Sequence, residues 1–281
     1  MKSRLNDGVV EQCCDISSPN ILLVTLDSCR WDAYANANMA FLNAHCPARK
    51  AYSQATFTYA SHLAMFQGIF PSTKERLPYY NRYVKQLIRI ANRPTTLDSL
   101  VCFPLGTEDL ITGFRDRGYF TLGLGAMEWF RHPHLTHNFD DFVYTGIHGK
   151  RQVELLIDKA PRERPFFALL NFGETHDPYT IGYDSKVPHS LVSRSRRLNL
   201  QNMVFDKEGW DSQRACCEYI DSCLSVIFDH LKSIGRDTIF IVCGDHGECF
   251  GEDGMFGHGF YHHKTMEVPL AIFDFNGELT T

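Results

Sequence analysis

Apolar residues in this chain gather into short unbroken runs that stop abruptly at acids and histidines. The first is Asn20-Ile-Leu-Leu-Val-Thr-Leu-Asp27. With no polar alternation inside it, this run predicts a central parallel strand buried on both faces. Phe166-Phe-Ala-Leu-Leu-Asn-Phe172 and Thr238-Ile-Phe-Ile-Val-Cys-Gly244 repeat the pattern. The former leads into Glu174-Thr-His176-Asp177-Pro-Tyr179 and the latter into Asp245-His246-Gly247-Glu248. Residues 119–124 and 268–275 are further predicted strands.

Helical periods fill the spaces between them. Residues 32–42 predict a helix capped by Asp32 or Ser28. From Thr58 to Gln67 the spacing of Ala60, Leu63, Ala64 and Phe66 is helical, with Gly68 as its stop and Pro71 beyond. Residues 107–115 and 150–159 predict two more helices. A long one capped by Asp211 aligns Ala215, Tyr219, Ile220, Cys223, Leu224, Ile227 and Leu231 on one side. Residues 46–57, 127–148 and 180–208 carry no clean period and are expected to be connections. Residues 72–104 are expected to cover the site as a long loop with one short helix. Residues 1–18 read as a loose leader and 19–281 as a single domain. Strands alternating with helices predict an α/β fold, a three-layer sandwich around a mostly parallel sheet.

Composition narrows the classes. A chain of 281 residues can bury one large core. A net charge of -5 with dispersed Lys and Arg argues against a nucleic-acid partner. Of ten cysteines, Cys13-Cys14 and Cys216-Cys217 are adjacent pairs, and Cys29 and Cys243 lie in or beside predicted core strands. That usage reads as buried free thiols in a reducing compartment. The first eleven residues lack an apolar signal core, and no run reaches the ~18–20 apolar residues of a membrane span. The resulting expectation is a cytoplasmic protein with no membrane partner.

In an open α/β sheet ligands bind beyond the carboxyl ends of the strands, where this chain puts Asp27, then Glu174, His176 and Asp177, then Asp245 and His246. The loop after the third set adds His258, His262 and His263. Two carboxylates and an imidazole predict a divalent-ion site, with Mn, Mg, Zn and Ca not distinguished. No Cys-x-x-Cys pair points to a closed structural zinc.

Taken together, Asn20 to Asp27, Thr58-Tyr-Ala-Ser-His62-Leu-Ala-Met-Phe-Gln-Gly68, His176-Asp-Pro-Tyr179, Gly244-Asp245-His246-Gly247-Glu248 and Val268-Pro-Leu270 resemble the alkaline phosphatase superfamily in its sulfatase-like branch. The resemblance implies that Asp27, Asp245 and His246 are metal ligands and that Thr58 is both nucleophile and ligand at a helix start. A plain helix N-cap is the structural alternative for Thr58. It also implies that His62, His176 and His258 bind the anion and move protons. His62 resembles the Thr-x-x-x-His arrangement of nucleotide pyrophosphatase-like phosphodiesterases. A second ion would draw on Asp177 and on His262 or His263. True sulfatases carry Cys/Ser-x-Pro-x-Arg where this chain has Thr58, Ala60 and His62, and the chain is expected to lack their C-terminal subdomain. The implied function is metal-dependent hydrolysis or transfer of a small anionic phosphate mono- or diester through a covalent Thr58 intermediate. The alternatives are a sulfuric ester hydrolase and a non-catalytic metal-binding scaffold.

Overall fold

The computed structural model describes residues 18–68, 88–90, 100–102, 109–182 and 204–279. Most of the leader, of the expected covering loop and of the 180–208 excursion lies outside the described residues.

Strand β1 (Asn20–Leu26) is followed by helices α1 (Trp31–Ala35) and α2 (Ala40–His45), β2 (Arg49–Tyr52) and α3 (Thr58–Gln67). Then come α4 (Leu110–Asp116), β3 (Phe120–Gly125), α5 (Pro133–Thr136), β4 (Asp141–Tyr144), α6 (Gly149–Lys159) and β5 (Phe166–Phe172). The long α7 (Lys207–Ile234), β6 (Thr238–Gly244), α8 (His263–Met266), β7 (Glu267–Asp274) and β8 (Gly277–Glu278) complete the main elements.

The main sheet has eight strands, ordered β8-β7-β6-β1-β5-β3-β4, with β2 also on β7. From β6 to β4 all neighbours are parallel, whereas β7 is antiparallel to β6, β2 and β8. This is an α/β sandwich with a mostly parallel sheet between helical layers. Alternate residues of each inner strand feed the two layers. Leu22, Val24 and Leu26 of β1 join Ala168, Leu170 and Phe172 of β5 beneath α2, α6 and α7. Leu23, Phe167 and Leu169 point the other way, toward α3 and α4. Every residue of β5 is buried, so truncating one of its leucines to Ala costs about 2–5 kcal/mol.

Several elements differ from the sequence expectation. The helix over 32–42 is two short ones broken at 36–39. The long helix begins at Lys207, with the Asp206 carboxylate accepting from the Gly209 amide at 2.9 Å, while Asp211 lies one turn inside, bonded to Lys207. Strands β2 and β4 fall in stretches read as irregular. Both are four residues long and neither has a fully buried residue, so neither shows the apolar run that marks an inner strand.

Candidate active site

Register explains why residues far apart in sequence meet. Leu26 pairs with Phe172 on one side and Gly244 on the other, so the residues just beyond these ends share one rim. Asp27, Asp245 and His246 all lie there, buried, with one ligand atom of each within 4.8 Å of the others. Gly247 follows because nothing larger fits: a Cβ there would lie 2.1 Å from the Lys264 carbonyl. Helix α3 brings Thr58 over this cluster. Its Ser61 hydroxyl donates to the Asp245 carbonyl at 2.5 Å, and the Ser53 hydroxyl donates to the same oxygen.

Thr58 Oγ1 lies 3.1 and 3.3 Å from the Asp27 carboxylate oxygens and 3.4 Å from His246 Nε2. The backbone amides of Ser28 and His246 donate to Asp245 Oδ1 at 3.1 and 2.8 Å, while buried Oδ2 has no hydrogen-bond partner. Asn171 Nδ2 donates to Asp27 Oδ2 at 3.3 Å. The His246 Nδ1–H donates to the Gly247 carbonyl at 3.0 Å. In the neutral ring this leaves the Nε2 lone pair turned toward Asp27 and Asp245, 3.8 and 3.6 Å away.

Burial, followed by the neighbouring Asp245 charge, raises the Asp27 carboxyl well above its ordinary range. Burial likewise lifts Asp245 to about 7. Two buried carboxylates, an orphaned oxygen and an imidazole lone pair converge on one spot, and no Lys or Arg is bonded to them among the described residues. The donor set therefore fits a divalent cation, which would satisfy the orphaned oxygen and offset both charges.

A second ring of groups borders the first. The His258 ring centroid is 4.5 Å from that of His246 and 5.1 Å from that of His176. Glu248, buried, accepts from His258 Nδ1 at 3.3 Å and from the Tyr179 hydroxyl at 2.6 Å. His176 Nδ1 donates to the Asp177 carbonyl at 2.7 Å.

Of the residues expected to meet substrate, His62 is the one the fold turns inward. It is fully buried against Phe130, its Nδ1–H donating to the Thr58 carbonyl at 2.8 Å and its Nε2 accepting from the Thr25 hydroxyl at 3.0 Å. Burial drops its pKa to about 4. Helical spacing accounts for this, since a side chain four residues on reaches the carbonyl of the turn before it. Asp177, His262 and His263 do not join the cluster, which is the only group of three or more metal-type ligands among the described residues. His262 caps α8, accepts from the Lys264 amide at 3.1 Å, and contacts Cys249 and Asp253. Sequence reasoning passed over Glu248 and Asn171 as site residues. Glu248 follows Asp245-His246 by two positions, which was the signal for it. Asn171, the lone amide in an otherwise apolar strand, was the other.

The Sulfatase family model matches residues 19–274, and the chain belongs to that family, within a superfamily of sulfatase-, phosphoethanolamine transferase- and alkaline phosphatase-like enzymes acting on ester bonds. It is 37% identical over 57 residues to the multifunctional alkaline phosphatase superfamily protein PehA of Trinickia caryophylli. That match covers 20% of this chain and 11% of PehA. Its fold is similar to the C-terminal periplasmic domain of the phosphoethanolamine transferase EptC from Campylobacter jejuni, with a TM-score of 0.61 at 14% identity over 92% of this chain and 80% of that one. It is also similar to the C-terminal periplasmic domain of Escherichia coli EptC in complex with Zn, with a TM-score of 0.52 at 14% identity over 92% and 73%. The cytoplasmic expectation is overturned by these neighbours, both of which are C-terminal periplasmic domains. Six of the seven free cysteines described are buried, and the Cys29 and Cys217 sulfurs lie 3.6 Å apart.

Proposed function

We propose that this protein is a metal-dependent hydrolase or transferase of phosphate mono- or diesters, with Thr58 as the nucleophile. The observation that carries the reading is the Thr58 hydroxyl at 3.1 Å from Asp27 and 3.4 Å from His246, at the first turn of α3. A divalent ion held by Asp27, Asp245 and His246 would supply positive charge that eases ionisation of this hydroxyl and offsets an anionic ester.

The protein's own groups do the rest. The Thr58 O–H points at Asp27 Oδ2, the direction in which its proton leaves. Its oxygen attacks phosphorus, forming a phosphothreonine ester as the leaving oxygen departs, and water or another acceptor then releases the phosphoryl group. The first amides of α3 have no acceptor within the helix and face charge on the non-bridging oxygens. His258, beside His246, and His176, beside His258, protonate or orient the leaving oxygen, with Glu248 holding the His258 ring. His62, with its ring nitrogens bonded to the Thr58 carbonyl and the Thr25 hydroxyl, holds the start of α3 in place. Phosphate esters are favoured over sulfate esters because Thr58 cannot be oxidised to formylglycine.

The test is intact mass after acid quench with bis-nitrophenyl phosphate and zinc or manganese. A phosphoryl-type adduct on the peptide containing Thr58 is expected. No adduct, together with wild-type turnover in Thr58→Ala, would remove Thr58 as the nucleophile. Faster turnover of nitrophenyl sulfate than of both phosphates would favour a sulfuric ester hydrolase, and no turnover of any ester despite tight metal binding would favour a scaffold.

A further inference from the structure

Ligands on a rim are only as well placed as the loops that carry them, and here both loops are gripped from a distant layer. Helix α7 packs on the face of the sheet opposite α3, yet Gln213 in its second turn reaches the rim and is fully buried there. Its Nε2 donates to the Ser28 carbonyl at 2.9 Å and to the Thr175 carbonyl at 2.8 Å, and its Oε1 accepts from the Arg30 amide at 3.4 Å. From each carbonyl-bearing residue one further bond leads to a carboxylate residue of the cluster. The Ser28 amide donates to Asp245 Oδ1 at 3.1 Å, and the Thr175 hydroxyl donates to the Asp27 carbonyl at 2.7 Å. Ser28 also has φ 60°, a left-handed conformation costly for a residue with a Cβ and kept only where its surroundings impose it.

An uncharged amide is the side chain this position calls for. Two carbonyls need two donors and one amide needs an acceptor, all at the reach of a glutamine. Leucine would leave the three backbone groups without these bonds, and glutamate would set oxygens against oxygens.

We propose that Gln213 is a positioning residue for the metal and nucleophile site. It ties the loop after β1 to the loop after β5 and thereby holds Asp27 and Asp245 at the spacing that one ion requires. This rests on the metal-dependent reading above.

The test is calorimetric titration of zinc into the full chain, stripped with chelator, for wild type, Gln213→Leu, Gln213→Glu and Ile220→Val. Ile220 is buried on the same helix and belongs to the core beneath the sheet, so its variant lowers the melting temperature without touching the rim. Both Gln213 variants should bind zinc about 10–100-fold more weakly, the loss typical when a group behind a metal ligand is removed. Ile220→Val should keep wild-type affinity. Gln213→Glu keeps side-chain length and remains informative if Gln213→Leu fails to fold. Wild-type zinc affinity in a folded Gln213 variant overturns the proposal. Failure of the wild type itself to bind zinc or manganese overturns the metal-dependent reading, and this proposal with it.

Discussion

Two clusters of charge, one fully buried and one whose acids are partly exposed around a buried Arg30, are built on opposite terms. In one, Arg30 bonds Asp32 through Nε at 2.5 Å and Nη2 at 2.8 Å, and Nη2 also reaches Glu252 at 2.7 Å. Lys264 closes on Asp32 at 2.6 Å, and the guanidinium lies 5.0 Å over the Phe250 ring. Two cations meet two acids. Burial would raise Asp32, but its bonds to Arg30 and Lys264 outweigh that and hold it at about 2. In the other cluster Asp27 and Asp245 have, among the described residues, only imidazoles and hydrogen-bond donors around them, and burial drives both carboxyls upward. The first is complete and locks loops together. Among the described residues no Lys or Arg completes the second, and the proposed chemistry falls there.

The largest effect should come from Thr58, the proposed nucleophile beside the incomplete cluster. Thr58→Ala should lower turnover of bis-nitrophenyl phosphate by at least about 10³-fold, since the covalent route is removed, with an unchanged melting curve. Thr58→Ser should recover part of the rate. A Thr58→Ala enzyme at wild-type rate would detach catalysis from this cluster.

Next come substitutions that set the clusters directly against each other. Arg30→Met strips a buried cation from two acids and should cost about 3–5 kcal/mol in urea unfolding. Asp245→Asn removes a charge that has no counter-ion in the metal-free chain. It should abolish zinc binding while the metal-free protein melts no lower than wild type. Equal destabilisation by the two substitutions would erase the distinction drawn here.

Acid and base should also separate them. A carboxyl whose folded pKa is raised binds protons that the unfolded chain has already released. Its contribution to stability is full below its ordinary 3.8 and is lost as pH rises through about 7. Asp32 behaves in reverse, contributing fully above 3.8 and losing that contribution as pH falls toward about 2. In chelator the melting temperature should therefore decline between those pH limits for Asp245, and the decline should shrink in Asp245→Asn. A slope unchanged by that substitution would count against the unmet charge.

The smallest effect belongs to Lys264→Met. Its partner Asp32 keeps Arg30, and the pair is partly exposed, so denaturant melts should shift by no more than about 1 kcal/mol.

How far the sequence could be read follows from what is local. Burial on both faces is written into a strand as an unbroken apolar run, so β1, β5 and β6 were legible, as were the acids and histidine that end them. Gly68, at φ 62°, stops α3 as read. The edge strands β2 and β4 were not legible, because a partly exposed four-residue strand has no such run. Nor could helical spacing alone tell that the His62 ring nitrogens bond within the fold, to the Thr58 carbonyl and the Thr25 hydroxyl.

By itself the sequence determined the α/β layering, the strand ends at which chemistry collects, and the family to which the chain belongs. Each is a property of contiguous residues or of motifs in order. The tertiary structure alone decided which of those ends share a rim, because Asp27 meets Asp245 only through the pairing of β1 with β6, which the Ser28–Asp245 bond spans at a separation of 217 positions. It also decided that His258 leans on Glu248, that His262 caps a helix, and that Gln213 reaches the site from the opposite layer. Hydrogen bonds between buried polar groups are set by distance and direction in three dimensions, and no local pattern of residues encodes either.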